Sequence, residues 1–471
     1  MPLILGTNSI KDTGYDVANS VRYNDGDSPK LNINFGSDGT LNKWTFSMWF
    51  KRSTLGTAQR LFCVLDSGMD DYIKFDTSDQ LEWTFDHEDG SNRGVLKTNR
   101  KFRDVSAWYH LVCRLDTTDS TAGDRMRMYI NGTEETSFAT DTNPTLNETG
   151  DIGRDNNHYI GTSGSSQYFD GYIAEVCMIN NQSLEPTSFG EFDSDSPNIW
   201  KPIDISGLTP GTNGFFLDFE DSSNLGNDAF GGTDWTETNL AATDQTTDTC
   251  TNNFATLNPL MNNVNNLPTL SEGNLEVLAV SGSTWSVTPS TIGLPKKGKW
   301  VFEVEAVSGT SGDRAAFAGW MNPAVSNPLA NGSILWRNVA STNSILSNDS
   351  AATGSFSATT WGTDGHIIGM YIDMDNSKMY FTHNGTVQNS GTGIDFQGTF
   401  DDDTFILPVV MVINTDKLSV NFGNPASNFA IASGNSDPNG YGNFEYSTTI
   451  TGDGSSKSFY AICTKNLAEF G

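Results

Sequence analysis

The residues in this chain best suited to chemistry are its carboxylates, and the first question is whether any two are spaced to work together. Retaining hydrolysis of a glycosidic bond needs two carboxyl groups about 5 Å apart, which two acids on one face of a strand would supply. The nearest approach is Glu191-Phe192-Asp193-Ser194-Asp195. It follows a short helical turn expected over residues 184–191 and precedes Pro197, so the pattern predicts a loop. Of the five histidines, His110 stands beside Trp108 in an apolar run and His158 precedes Tyr159-Ile160, and both read as packed residues. His87 lies in an acidic turn with Asp86, Glu88 and Asp89, where a solvated loop is the plainer reading. No Ser-His-Asp set and no zinc-ligand spacing emerges. The chain therefore reads as a protein that binds and is not an enzyme.

The elements that must position any binding residues are short strands. Glycine is abundant at 46 residues of 471, aromatics reach 11% and hydrophobic residues only 36%. Glycine, Asn and Asp supply turn conformations while aromatic and β-branched residues pack sheet faces. The net charge of −30 repels phosphate backbones, which argues against nucleic acid as a partner. Five widely spaced cysteines, Cys63, Cys113, Cys177, Cys250 and Cys463, form no disulfide framework; three of them sit inside apolar runs as small hydrophobes. The N-terminal MPLILGTNSIKD has no basic stretch and only a brief apolar one, unlike a signal peptide, and no later run is long enough to insert in a membrane.

Strand patterns recur over residues 21–220, fade across 221–269, and resume over 270–430. WTFSMWF (44–50) alternates Phe46, Met48 and Phe50 toward one buried face. WYHLVCRLD (108–116) leads to RMRMYIN (125–131), whose Asn131-Gly132 is the dipeptide that best tolerates a type I′ hairpin turn. HIIGMYID (366–373) and KMYFTH (378–383) make a second hairpin, followed by Asn384-Gly385. The fold class predicted is all-β: two antiparallel β-sandwiches joined by an extended connector. The parts are an N-terminal arm at 1–20, a jelly roll at 21–220, the connector at 221–269, a second sandwich at 270–430, and a C-terminal tail at 431–471 with one last strand at 459–463.

On WTFSMWFK, AWYHLVCRLD with MYINGT, and FDGYIAEVCMIN (169–180), the first sandwich resembles the laminin-G-like, concanavalin-A-like jelly rolls. On GKWVFEVEA (298–306), AGW (318–320), HIIGMYIDMDNSKMYFTHNG (366–385) and LPVVMV with LSVNFG (407–423), the second resembles the SPRY-type sandwich, known for peptide and protein recognition. The opening SVRYNDGDSPKLN, the joint KPIDISGLTPGTNGFFLDFEDSSNLGNDAFG, the connector and the terminal YAICTKNLAEFG resemble tail-fibre-like structural proteins of marine and cyanobacterial phages.

These resemblances carry expectations. The jelly-roll likeness implies a rim Ca²⁺ as an optional cofactor, none being required, with Asp66, Asp151 and Asp170 as the metal candidates at strand ends; calcium takes roughly six to eight oxygens. Asp401, Asp402 and Asp403 form a further acidic cluster. Trp320 and Trp336, at strand ends of the SPRY-like part, are the ligand-binding candidates for stacking on sugar rings. The phage likeness implies a virion protein made in the host cytoplasm and released by lysis, with the arm at 1–20 as its virion attachment segment. Its partners would be other tail or capsid proteins and a host cell-surface glycan or protein, with a homotrimer as the expected assembly. A capsid decoration or tail connector is one alternative, and a jelly-roll glycanase or depolymerase the other.

Overall fold

The computed structural model describes residues 12–471 except 66–69, 87–92, 262–266, 281, 283–284, 310–315, 324–331, 340–341, 348–349, 352–359, 397–399 and 401–404. The chain forms two compact units, one of residues Thr13–Thr251 and one containing Asn252–Gly471. Each is an antiparallel β-sandwich. Among the described residues the one α-helix is Thr464–Phe470.

In the first unit, one sheet runs in the order Thr133–Glu134, Met126–Ile130, Tyr109–Asp116, Lys43–Arg52, Gly171–Asn180, Ser20–Tyr23, Gln245–Thr246, with Phe215–Leu217 also paired to Gly171–Asn180. The facing sheet runs Phe138–Thr142, Gly94–Lys101, Gln80–Phe85, Tyr72–Phe75, Gln59–Val64, Asn157–Ile160, Lys30–Asn34, Thr236–Thr238. Period-two alternation drives this arrangement. Trp44, Phe46, Met48 and Phe50 point inward from one sheet and meet Phe62, Ile73, Phe75, Leu81 and Trp83 from the other. The rings of Phe46 and Phe62 stack at 4.6 Å, and Trp44 meets Trp83 at 5.4 Å. The predicted Asn131-Gly132 turn has φ of 49° and 72° at its two residues, as a type I′ hairpin requires.

In the second unit, one sheet has the order Thr269–Ser271, Glu276–Leu278, Lys417–Asn421, Lys299–Ser308, Ile367–Asp373, Lys378–His383, Thr386–Val387. The other runs Ser286–Pro289, Leu407–Val412, Ala316–Met321, Ser333–Val339, Thr342–Ser347, Ser350–Ala351. Between them lie Trp300, Phe302, Trp320, Trp336, Trp361, Phe381 and Phe422.

The division of the chain differs from the sequence expectation at three places. Residues 13–19 lead directly into Ser20–Tyr23 and belong to the first sandwich, not to a separate arm. The expected connector at 221–269 is divided between the units: Thr236–Thr238 pairs with Lys30–Asn34, Gln245–Thr246 pairs with Ser20–Tyr23, and Trp235 is buried in the first core. Strands of two and three residues are too short to show periodicity, so this stretch reads as extended chain in sequence. The expected tail at 431–471 is part of the second sandwich: Tyr460–Ala461 adds a parallel pairing to Lys299–Ser308, and the helix Thr464–Phe470 follows.

Candidate functional site

The sequence candidates meet different fates. Trp320 and Trp336 are both fully buried in the second core, with Phe302 against Trp320 at 5.0 Å and Phe381 against Trp336 at 5.6 Å. Neither can stack on a ligand. Both rings point to the face that the opposite sheet covers, so a position near a strand end did not mean a position near solvent.

Asp66 lies outside the described residues, as do His87 and Asp401, Asp402 and Asp403. Asp151 is fully buried and its Oδ1 accepts from Arg154 Nε at 2.9 Å. The Asp170 carboxylate accepts from the Thr54 hydroxyl, and its carbonyl accepts from Ser53 N at 3.0 Å. Among the described residues no group of three or more His, Cys, Asp or Glu could hold a metal ion. Asp151 instead stands next to Asp71, whose buried carboxylate accepts the backbone amides of Asp86, Asp151 (2.8 Å) and Ile152 (3.1 Å). Burial pushes the Asp71 carboxyl up to about 8.

Glu191 is in a strand, Gly190–Phe192, paired with Trp200–Pro202, and not in the loop expected. Lys201 Nζ bridges Glu191 at 3.3 Å and Asp193 at 3.4 Å, and Asp193 Oδ1 also accepts the amides of Asp195 and Ser196. These carboxylates share one cation on a surface ribbon.

A Ser-His pair does occur, between Ser47 Oγ and His110 Nε2 at 2.8 Å. Its polarity is wrong for a nucleophile. Trp200 Nε1 can only donate, and it donates to His110 Nδ1 at 2.9 Å. The ring proton is therefore on Nε2 and points at Ser47, so His110 cannot take the serine proton. Burial drives His110 down to about 3, which keeps it neutral. His158 is likewise packed: its Nε2 accepts from Gly153 N at 2.9 Å, and burial lowers it to about 4.

The arrangement best suited to a ligand is the outward face of the first unit's second sheet. In four of its strands Ile73, Phe75, Leu81, Trp83, His158, Ile160, Leu31 and Ile33 are buried, while Tyr72, Lys74, Glu82, Asn157, Tyr159, Lys30, Asn32 and Asn34 are half-buried or exposed; Gln59–Val64 between them is buried throughout. Register places these outward residues in rows. One row reads Asn32, Tyr159, Cys63, Tyr72, Thr84 across five strands. Strand spacing of about 4.8 Å puts the two tyrosines roughly 10 Å apart at the backbone, on either side of fully buried Cys63. A neighbouring row reads Arg60, Lys74, Glu82, Lys97.

The two halves of this face are unlike. Around Tyr72 every charge is paired. Tyr72 donates to Glu82 Oε1 at 2.7 Å; Lys74 and Lys97 reach Glu82 at 3.3 and 3.2 Å; Lys97 also reaches Asp76 at 2.6 Å, and Arg60 Nη2 reaches Asp70 at 3.1 Å. Arg60 and Lys74 both lie 4.2 Å from the Tyr72 ring centre. Burial raises the Glu82 carboxyl, but the Tyr72 hydroxyl and two lysines more than offset it, leaving it below the usual range.

Around Tyr159 the groups are amides and one lysine. Asn32 stands opposite Tyr159 and Asn34 opposite Asn157. Lys30 Nζ sits 5.6 Å from the Tyr159 ring centre and donates to the carbonyl of Gly164 at 2.9 Å. Gly164 beside this ring has φ of 89°, a left-handed conformation that favours glycine. An aromatic plane edged by amides that both donate and accept fits a sugar, which offers an apolar C–H face and a rim of hydroxyls. The sequence marked 61–65, 72–75, 81–85 and 158–161 as strands. It carried no signal that 72 and 159 share a row.

Residues 25–187 match the family described as the concanavalin A-like lectin/glucanases superfamily. No curated protein sequence matches the chain. Similar solved structures include the SPRY domain of human HERC1, at 16% identity over 35% of this chain and 96% of that one, with a TM-score of 0.27. Domains LG4-5 of the mouse laminin alpha1 chain align at 10% identity over 87% and 89% of the two chains, with a TM-score of 0.29. A heptameric SAP-like pentraxin from Limulus polyphemus aligns at 14% identity over 36% and 79%, with a TM-score of 0.28.

Proposed function

We propose that this chain is a non-enzymatic binding protein of a bacteriophage particle, a tail fibre or surface appendage, whose first sandwich takes a host-surface glycan on the Tyr159 platform. The observation that carries the binding half is the unequal outward face, where carboxylates and cations close on one another around Tyr72 while amides and Lys30 edge Tyr159. A lectin-like match over residues 25–187 supports the same reading. The virion half rests on the resemblance of the opening, joint and terminal segments to phage structural proteins. The reversed polarity of the Ser47–His110 pair and the Lys201-bridged carboxylates favour binding over hydrolysis at those places.

The test is calorimetric titration of the full chain with polysaccharide released from the host envelope, beside Tyr159→Ala. Saturable binding is expected, weakened at least tenfold in the variant with unchanged thermal unfolding. Equal binding by variant and parent would move the site elsewhere. Release of sugar that one carboxylate substitution abolishes would replace this reading with a glycanase. Absence of the protein from purified particles by mass spectrometry would overturn the virion assignment.

A further inference from the structure

The strand Gly171–Asn180 runs through the middle of its sheet, and its register against Lys43–Arg52 breaks between Ala174 and Cys177. Glu175 sits at that break with φ of 50°, a left-handed conformation that a non-glycine residue holds only when its surroundings impose it. Bulges of this kind re-aim a side chain. Here the re-aimed group is a carboxyl, 5% exposed, and the hydroxyl of Tyr15 donates to its Oε2 at 3.4 Å.

Tyr15 belongs to the leading segment, residues 13–17, which lies over an apolar cluster of Val17, Trp49, Trp108, Tyr172, Ala174 and Trp200. The segment also holds Thr251, the last residue of this unit: Val17 N donates to Thr251 Oγ1 at 3.1 Å, and that hydroxyl donates to Val17 O at 3.3 Å. The charged groups that act on Glu175 are all acids. Asp204 comes from the loop after Trp200–Pro202, and Asp218 and Glu220 from the segment after Phe215–Leu217. Cys177 on its own strand and Cys250 on the trailing segment are thiols that burial holds in the neutral form. Two lysines of this unit are engaged with other acids, Lys201 with Glu191 and Asp193 and Lys51 with Asp248.

We propose that Glu175 is a proton-operated latch: residues 13–17, with Tyr15 on its carboxyl, stay closed over it while it is protonated, and the cost of burying its charge among acids releases them when it ionises. The closed form is the one in which a neutral carboxyl is tolerated, because a charge there would be desolvated and would face three carboxylates with one distant phenol to oppose them. Burial first, then Asp218, pushes Glu175 up to about 8. With the segment lifted, water reaches the carboxyl and it titrates in the ordinary range. The closed form thus binds the proton more tightly. The ratio of closed to open is greatest at acid pH, falls up to about tenfold per pH unit as pH rises toward 8, and levels above it.

The experiment is amide hydrogen exchange at Val17 in the full chain, as the ratio of rates in the parent and in Glu175→Gln at each pH, which cancels intrinsic exchange. Glutamine keeps the shape and cannot ionise. The ratio is expected near one at pH 5 and at least ten by pH 9; a flat ratio overturns the latch. In parallel, the ¹³C-labelled Glu175 carboxyl is titrated in the parent, and a midpoint below pH 6 overturns it as well. If Glu175→Gln does not fold, Tyr15→Phe serves: it should exchange faster than the parent at pH 6, and equal protection there rejects the role of Tyr15.

Discussion

One sheet face in each sandwich carries outward tyrosines and carboxylates, and the two are resolved in opposite ways. On the first sandwich, Tyr72 and Glu82 stand among Arg60, Lys74 and Lys97, and the charges close on one another within the face. On the second, Glu276, Glu303 and Glu305 share the outward face of the larger sheet with Tyr371 and Tyr380. There the protein's own chain supplies most of the partners. Glu303 accepts the amides of Glu445 (2.9 Å) and Tyr446 (2.8 Å), and Glu305 accepts that of Ala430 at 3.0 Å. Glu276 accepts from the Asn428 side chain at 2.9 Å, while Lys417 supplies a cation. Tyr371 donates to Ser447 O at 2.9 Å and Tyr380 to Asp453 at 2.8 Å. A carboxylate leaving water must find donors. Interleaved cations satisfy it in place and keep the face available to a ligand; where they are few, it recruits backbone amides and the face is covered.

The strongest way to break this comparison is in the core beneath the covered face. Trp336→Ala should destabilise the second sandwich by about 3–5 kcal/mol, read by denaturant unfolding, and leave glycan binding by the folded protein unchanged. Loss of binding at full folding would restore Trp336 as a ligand residue.

Next in size is the hold on the segment around Glu445 and Tyr446 that covers this face. Glu303→Leu leaves Glu445 N and Tyr446 N without their acceptor, while the Asn421 amide keeps Asn443 O, at a cost of about 1–3 kcal/mol. Exchange at residues 445 and 446 should rise well before the sheet strands open. Unaltered exchange there would mean that the apolar contacts of Phe444 and Phe459 hold the segment alone.

The two sandwiches should also differ in their response to pH. Asp71 and Glu175 in the first are raised to about 8, and Glu303 in the second to about 7, each by burial first. The folded state then holds more protons than the unfolded one, so stability falls as pH rises from the ordinary carboxylate range to those values. The slope is at most about 1.4 kcal/mol per pH unit per group. Asp76, Asp79 and Asp116 run the other way: burial acts to raise each, but their hydrogen bonds and ion pairs prevail and hold them below the usual range. Their contribution is lost as pH falls below about 4. Chemical unfolding at a series of pH values should therefore show a maximum near pH 5, with the decline ending about one unit earlier in the second sandwich. A stability that rises steadily to pH 8 would contradict the burial assigned to these groups.

The smallest expected stability effect is at the open face. Tyr159→Ala should change unfolding by no more than about 1 kcal/mol, because the ring is only partly covered, while it removes the platform proposed for the ligand. A large loss of stability would show that Tyr159 is structural.

The alternation in WTFSMWF and the Asn-Gly turn determined, from sequence alone, that this protein is built of antiparallel sandwiches, since side chains two apart must share a face and that dipeptide accepts positive φ. Apolar runs fixed the three cysteines of the first sandwich's sheets as buried, and they are. Tertiary structure decided the rest. Only the pairing of distant strands set Tyr159 beside Cys63 beside Tyr72, because register between strands is a property of the assembled sheet. Trp336 shows the converse: a tryptophan's type and its place in a strand do not say whether the opposite sheet will cover it. Residues 221–269 fell between the two, since their strands are too short to carry a period and gain their structure from the sheets they join. Glu175 is the extreme case, an ordinary glutamate in sequence whose burial, backbone strain and company of acids exist only once four separate segments have met.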